Sequence, residues 1–393
     1  MSTVEMPTPS ALAERTAHII PVLREHAVWG EEHRRLHDEV VDAMADAGVL
    51  KLRLPERFGG YAADARTTHS VLAELGKGDG SAAWVATVWA MGTWMMGFFP
   101  DETQEEVFST PDVRIGGIIS PTAMAVPVDG GVVVNGQWRF NSGALQSHWN
   151  TNAAVVARPD GTHEPVMLAV PMPDVEVIDD WHTTGLRASG SVTTVARDLF
   201  VPDHRVLPLG PVLAGVHPKQ VGAASPAHRV PFMPVACATV GAPAIGLAEA
   251  ALSLFLERLP GRKITYTDYE EQREAPITHL QLGEARTLAD EAAFHLDRNA
   301  EIVDRKSVAG EQWTVEERAR VRLGLGAGAL RAKQAVELLK TASGGSSIYH
   351  DAPIQRVERD MHAMHLHAIL HPNTNFELYG RVLSGLGPNT VYL

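Results

Sequence analysis

The chain has 393 residues, 45% hydrophobic and 21% charged, with a net charge of −13. That balance provides for a sizeable core and two or three domains, and argues against nucleic acid or an anionic membrane, which reward clustered Lys and Arg. The single cysteine, Cys237, excludes an intramolecular disulfide and fits a reducing cytoplasm; in Val235-Ala236-Cys237-Ala238 it reads as a small buried hydrophobe.

Residues 1–112 read as a helical N-terminal domain. Met1 to Glu14 has early acids and no long apolar core, so no signal peptide is expected. Ser10 can cap a helix through Ile20 and beyond. Glu31 to Gly48 sets Leu36, Val40, Val41, Met44 and Ala47 near a 3.6-residue period. Leu54-Pro55-Glu56-Arg57-Phe58-Gly59-Gly60 must turn, because Pro and paired Gly interrupt helices. A helix through Val71 to Leu75 follows, then an apolar one around Trp84 to Met96. Ser81 to Phe99 is uncharged and nearly reaches the ~20 residues of a membrane span. Its Ser81, Thr87, Gly92, Thr93 and Gly97 favour a buried core helix instead.

Between 113 and 208 the period changes. Val132-Val133-Val134 precedes Asn135-Gly136, a favoured type I′ hairpin pair, and Gln137-Trp138-Arg139-Phe140 follows. Ala153 to Ala157, Val166 to Val170, Val175 to Ile178 and Thr193 to Phe200 are further short strands. They predict a central antiparallel β domain, a barrel or small sandwich. The last block, 209–393, opens with a Gly-, Pro- and Ala-rich linker or mobile loop to residue 230. Helices are then expected over 236–259, 277–304, 314–341 and 355–371, which suggests a four-helix bundle. The class is α+β, mainly α.

Two features invite other chemistry. His362, His365, His367 and His371 crowd one stretch, and pairs three or four apart can share a helical face as metal ligands. Without a His-Glu-x-x-His motif or a nearby Cys, no metal site is expected. Gly324-Leu325-Gly326-Ala327-Gly328 is not Gly-x-Gly-x-x-Gly and no strand precedes it, so it reads as close helix packing. No nicotinamide site is therefore expected in this chain.

Four segments carry a resemblance that spans nearly the whole chain. They are Leu54 to Gly60; Ile119-Ser120-Pro121 with Gly136-Gln137-Trp138-Arg139-Phe140-Asn141-Ser142-Gly143; Trp181 through Gly185-Leu186-Arg187-Ala188-Ser189-Gly190-Ser191 to Phe200-Val201-Pro202; and Gly344-Gly345 with Gln355-Arg356 and Arg359-Asp360. Together they resemble the acyl-CoA dehydrogenase superfamily, as does the order helical domain, β domain, helical bundle. In typical dehydrogenases of that family a glutamate base stands nine residues after the Arg of the Arg-Asp pair. Here that place is Ala368, beside His367. Alanine cannot take a proton, so the chain resembles the two-component flavin-dependent monooxygenase branch, whose Gly-x-Trp-x-Phe-x-Ser-Gly it also carries.

The resemblance implies a reduced flavin, FADH2 favoured and FMNH2 possible, delivered by a separate NAD(P)H:flavin reductase, with O2 as co-substrate. It implies hydroxylation of a phenolic or indolic ring through a flavin C4a-hydroperoxide, in a cytoplasmic homotetramer. Ser142 would bond flavin N5, with Ser120, Trp138 and Phe140 around the isoalloxazine. Arg262, Gly344 and Gly345 would meet the rest of the cofactor, Arg262 at a phosphate. His367 would act as base or peroxide partner. Trp84, Trp89, Met91 and Trp94 would line an aromatic substrate pocket. Rival readings are an N-oxygenase of an amine or amino sugar, an acyl-CoA dehydrogenase with a carboxylate such as Glu377, and a non-catalytic binding protein.

Overall fold

The computed structural model describes residues 7–158, 160–216 and 226–393. The first helices are α1 (Pro9–His33), α2 (Asp38–Asp46), α3 (Ala65–Gly76), α4 (Gly80–Met96) and α5 (Asp101–Phe108). Thr8, rather than Ser10, caps α1 by accepting from Ala11 N. The expected helix over 31–48 is broken: Arg34 turns left-handed at φ 54° and His37 caps a new helix through Glu39 N. The apolar period survives the break, since Leu36, Val40, Val41, Met44 and Ala47 are all buried. Asp79 caps α4, an apolar helix buried along almost its whole length.

The strands are β1 (Ile115–Val128), β2 (Gly131–Asn141), β3 (Trp149–Ala157), β4 (His163–Pro171), β5 (Glu176–Ile178), β6 (Val192–Pro202) and β7 (Val206–Pro208). They form a single seven-stranded sheet in the order β5-β6-β2-β1-β3-β4-β7. It is mixed rather than purely antiparallel, because β3 runs parallel to β1. The β1–β2 hairpin turns at Asp129-Gly130, not at Asn135-Gly136. Both dipeptides suit a type I′ turn; what separates them is the partner strand. Asn135 exchanges side-chain bonds with Asp198 of β6, and Gly136 sits at a register shift 2.6 Å (for an added Cβ) from Ala123 Cα. The sheet has its own core, which includes Val134, Trp138, Val156, Leu168 and Val201.

The remaining helices are α6 (Leu209–Ala214), α7 (Phe232–Thr239), α8 (Ala242–Arg258), α9 (Pro276–Ala309), α10 (Val315–Ala342), α11 (Pro353–His365) and α12 (Pro372–Leu383). Part of the expected linker is α6, while 217–225 lie outside the described residues. The helix expected over 236–259 is two, α7 and α8, meeting at Gly241, where an added Cβ would lie 2.6 Å from Leu296. Phe232–Arg258 is long and apolar enough to cross a membrane, and 89% of its most apolar window is buried inside the protein. Gly324 and Gly328 let α10 approach Asn299 and Leu296 of α9. One core joins all three blocks through Trp94, Phe98, Ile115, Trp149, Phe255, Leu296, Leu325 and Met361.

Candidate active site

The end of β2 departs from strand alternation. A regular strand would put Trp138 and Phe140 on one face. A register shift between Trp138 and Asn141, with Phe140 at φ 62°, puts them on opposite faces. Trp138 is 0% exposed and donates to Ala153 O at 2.7 Å within the sheet core. Its ring packs within the sheet. Phe140 is 62% exposed and stands edge-on to Trp181 at 6.0 Å. Ser120 is exposed on β1, between the two registers that β1 makes with β3.

Beyond the bulge, Gly143 (φ +71°) reverses the chain against α4, where an added Cβ would lie 2.8 Å from Trp89 Nε1. That close approach, possible only for glycine, sets Ser142 against α4. Trp84 Nε1 donates to Ser142 Oγ at 3.0 Å, and Trp89 Nε1 to Ser147 Oγ at 3.0 Å. Trp94 is 0% exposed among Phe98, His228 and Phe232, and donates to Ala227 O. It packs in the core that joins the three blocks. Met91 is half-buried against the same core.

His367 is not on a helix. Helix α11 ends at His365, and His367 begins the turn into α12, with its N–H on Met364 O at 3.0 Å. His367 and His371 therefore do not share a helical face. The structure sets the His367 ring 5.0 Å from Trp84, at 63°. One indole thus touches both Ser142 and His367. Burial lowers the His367 pKa to about 4, so the imidazole is neutral near pH 7. Ile369 N donates to its Nδ1 at 3.3 Å, which leaves the proton on Nε2. His367 is thereby a hydrogen-bond donor at Nε2 rather than a ready base. Ala368 is exposed and offers no carboxylate; Glu377 is exposed on α12 and bonds Asn389.

A second group gathers where α8 and α10 end. Arg262 donates to Ser343 O at 2.9 Å and Ser346 Oγ at 3.3 Å, and Arg258 to Ser346 Oγ at 2.8 Å. Gly344, at φ +69°, has only Arg262 Nη2 near its added Cβ, at 3.8 Å, and Gly345 is open. Burial and the adjacent Arg262 lower the Arg258 pKa. Among the described residues no carboxylate pairs with either guanidinium, and Arg258 Nη1 is a buried donor without a partner. Paired cations facing open glycine backbone fit a phosphate. Sequence reasoning missed Arg258, whose signal was its place four residues before Arg262. It also missed Ser189 and Ser191, which lie within a recognised segment. A three-ligand cluster of the kind a metal needs occurs elsewhere, at His26, His37 and Glu39.

Fold and site together define a flavoprotein of acyl-CoA dehydrogenase architecture. The N-terminal domain model of acyl-CoA dehydrogenases matches residues 13–111, and the C-terminal domain model residues 238–372. The oxygenase subunit HsaA of a flavin-dependent monooxygenase from Rhodococcus jostii (strain RHA1) is 30% identical over 374 residues, covering 95% of this chain and 98% of its own. The oxygenase component of an FADH2-dependent resorcinol hydroxylase from Rhizobium sp. (strain MTP-10005) is 27% identical, over 97% and 96% of the two chains. The structure of XiaF from Streptomyces sp., in complex with FADH2 and glycerol, superposes with a TM-score of 0.91 at 28% identity, over 97% of both chains. The chain belongs to the oxygenase subunits of two-component flavin-dependent monooxygenases, and it is a reduced-flavin-dependent monooxygenase.

Proposed function

We propose that this oxygenase hydroxylates an electron-rich aromatic ring, phenolic or indolic, using FADH2 in preference to FMNH2. The observation that carries the reading is the single indole of Trp84, which touches the Ser142 hydroxyl on one side and the neutral His367 ring on the other. Resorcinol as the substrate of one relative, and FADH2 in the names of two, support the ring chemistry and the cofactor. Reduced flavin, when bound, supplies the electrons that activate O2 for insertion of one oxygen atom.

The protein's residues orient and exclude water. Ser142 would meet flavin N5. Phe140, with Ser120, would flank the ring system, and Arg262, Arg258, Gly344 and Gly345 would hold a phosphate. The His367 Nε2–H would donate to the substrate oxygen or to activated oxygen. Trp84, Trp89 and Met91 would shape an apolar substrate floor, which disfavours a charged amine. An exposed apolar row on α9, Leu280, Phe294 and Val308 at 14-residue spacing, supports homotetramer assembly. The acidic balance and single reduced cysteine support a cytoplasmic setting.

The test mixes protein and chemically reduced FAD or FMN with 18O2 and a panel of phenols, indoles and amines. Label incorporated into an aromatic product is expected, faster with FAD. His367→Ala should abolish product while keeping flavin affinity within about twofold, since the lost group is a single donor. Full activity in that variant would remove His367 from the reaction. Label found only in amines would replace ring hydroxylation by N-oxygenation.

A further inference from the structure

Each partner of the Trp84 indole is held from behind. Behind Ser142 stands Ser191 Oγ at 2.7 Å, and beyond it Ser189 Oγ at 2.7 Å. Behind His367 the support comes from α12 and α10. Ile369 N donates to the ring at Nδ1, and Ile369 O accepts from Asn375 Nδ2 of α12 at 2.8 Å. Asn375 Oδ1 accepts from Arg322 Nε of α10 at 2.7 Å. Arg322 Nη1 donates to Tyr392 O at 2.6 Å, and the Tyr392 hydroxyl is anchored on Ile119 O of β1 at 3.2 Å.

Chemistry fixes the direction of every bond in this series. A guanidinium only donates, so the oxygen of the Asn375 amide faces Arg322 and its NH2 faces Ile369. A peptide carbonyl only accepts, so neither end can reverse. Asn375 is 0% and Arg322 7% exposed, which keeps water from replacing these partners. Gly326 permits the approach of α12 to α10: a Cβ added there would lie 3.0 Å from Asn375 Cβ and 3.1 Å from its Nδ2. Leu370 N and His371 N close the turn on His367 O, at 2.9 and 3.0 Å. Ile369 is thus held at both of its polar atoms, one by the histidine ring and one by Asn375.

We propose that Asn375, oriented by Arg322, is a positioning residue for the hydroxylation: it fixes Ile369, and Ile369 fixes His367 with its Nε2–H free to donate. The proposal rests on the reading of His367 as the donor to substrate or oxygen. Asn375 acts through Ile369, and Arg322 acts through Asn375.

Asn375→Asp removes the donor alone. A carboxylate still accepts from Arg322 but has no proton for Ile369 O. The first readout needs no turnover: hydrogen–deuterium exchange by mass spectrometry over residues 366–371, compared with the rest of the chain. Exchange there should rise about tenfold and stay unchanged elsewhere, as expected for one lost buried hydrogen bond. The second readout is product formation with reduced FAD and the phenol or indole that the wild type hydroxylates. There kcat should fall about tenfold with KM within about twofold, because a displaced donor loses reaction geometry. Arg322→Lys is the second variant, since one ammonium cannot span Asn375 Oδ1 and Tyr392 O as the planar fork does. It should move exchange and kcat in the same directions, about threefold each. Unchanged exchange over 366–371 in both variants, or a rise spread evenly over the chain, overturns the proposal. A loosened turn with wild-type kcat, while His367→Ala abolishes product, overturns it too. Full activity in His367→Ala overturns the reading of His367, and the proposal with it, whatever the exchange shows.

Discussion

Helix α4 meets two buried polar clusters of opposite character. At its start Asp79 caps the helix through Ala82 N at 2.7 Å and lies 4.0 Å from Arg356. Asp360 stands alongside and accepts from Leu186 N at 2.6 Å, near a cleft of about 100 Å³ that Arg24 also lines. A turn later, Trp84 meets neutral groups, the Ser142 hydroxyl and the His367 ring. Burial, then the charge of Asp79, pushes the Asp360 pKa up to about 8. A buried charge without its partner is costly, so the first cluster admits one geometry. Carboxyl and guanidinium groups anchor the helix at its start, and neutral groups meet it a turn later.

The largest effect is expected at the anchor. Asp360→Ala orphans the Leu186 N–H and should cost about 1–3 kcal/mol in urea unfolding. A loss no larger than that of Ser189→Ala would erase the contrast between the clusters. The pH dependence follows from the raised pKa. Stability contributed by the Asp360 carboxyl is full below its unfolded value near 4 and is lost as pH rises toward 8. Wild-type urea midpoints should therefore fall from pH 5 to pH 8 relative to Asp360→Asn; parallel curves would place the titration elsewhere.

His367 has the opposite sign. Its pKa is depressed, so its contribution is present above the unfolded value near 6.5 and is lost as pH falls toward 4. Product formation should be level from pH 6 to 8 as far as His367 governs it, and a step near 6.5 would show a solvated ring instead. Next in size, Trp84→Phe keeps a ring beside His367 and removes the donor to Ser142. Loss of one buried hydrogen bond should weaken reduced-flavin binding about fivefold by titration. Smallest is Arg258→Ala, for which a loss of about threefold in FAD affinity is expected at low salt, shrinking as ionic strength screens the phosphate. A salt-independent loss would make Arg258 a packing residue.

Much of this was legible in the chain. The block order, the alanine at the base position and the neighbouring histidine are local facts. So is the burial of Cys237, whose thiol is pushed up to about 12 by its apolar setting. The misreadings share one cause. Trp138 and Phe140, two apart, look like neighbours on one face until a bulge set by β6 separates them. Asn135-Gly136 looks like a turn until Asp198 claims Asn135. His367 and His371 look like a helical pair until α11 stops at His365.

Sequence alone determined the fold class, because periodicity needs no partner, and its resemblance to a known family implied the flavin chemistry and placed the alanine at the base position. Tertiary structure decided which groups meet. Trp84, Ser142, Ser191 and His367 come from four separate segments, and their contacts depend on strand register, left-handed glycines and a helix end. Those features arise from contacts between distant segments, so no local pattern encodes them.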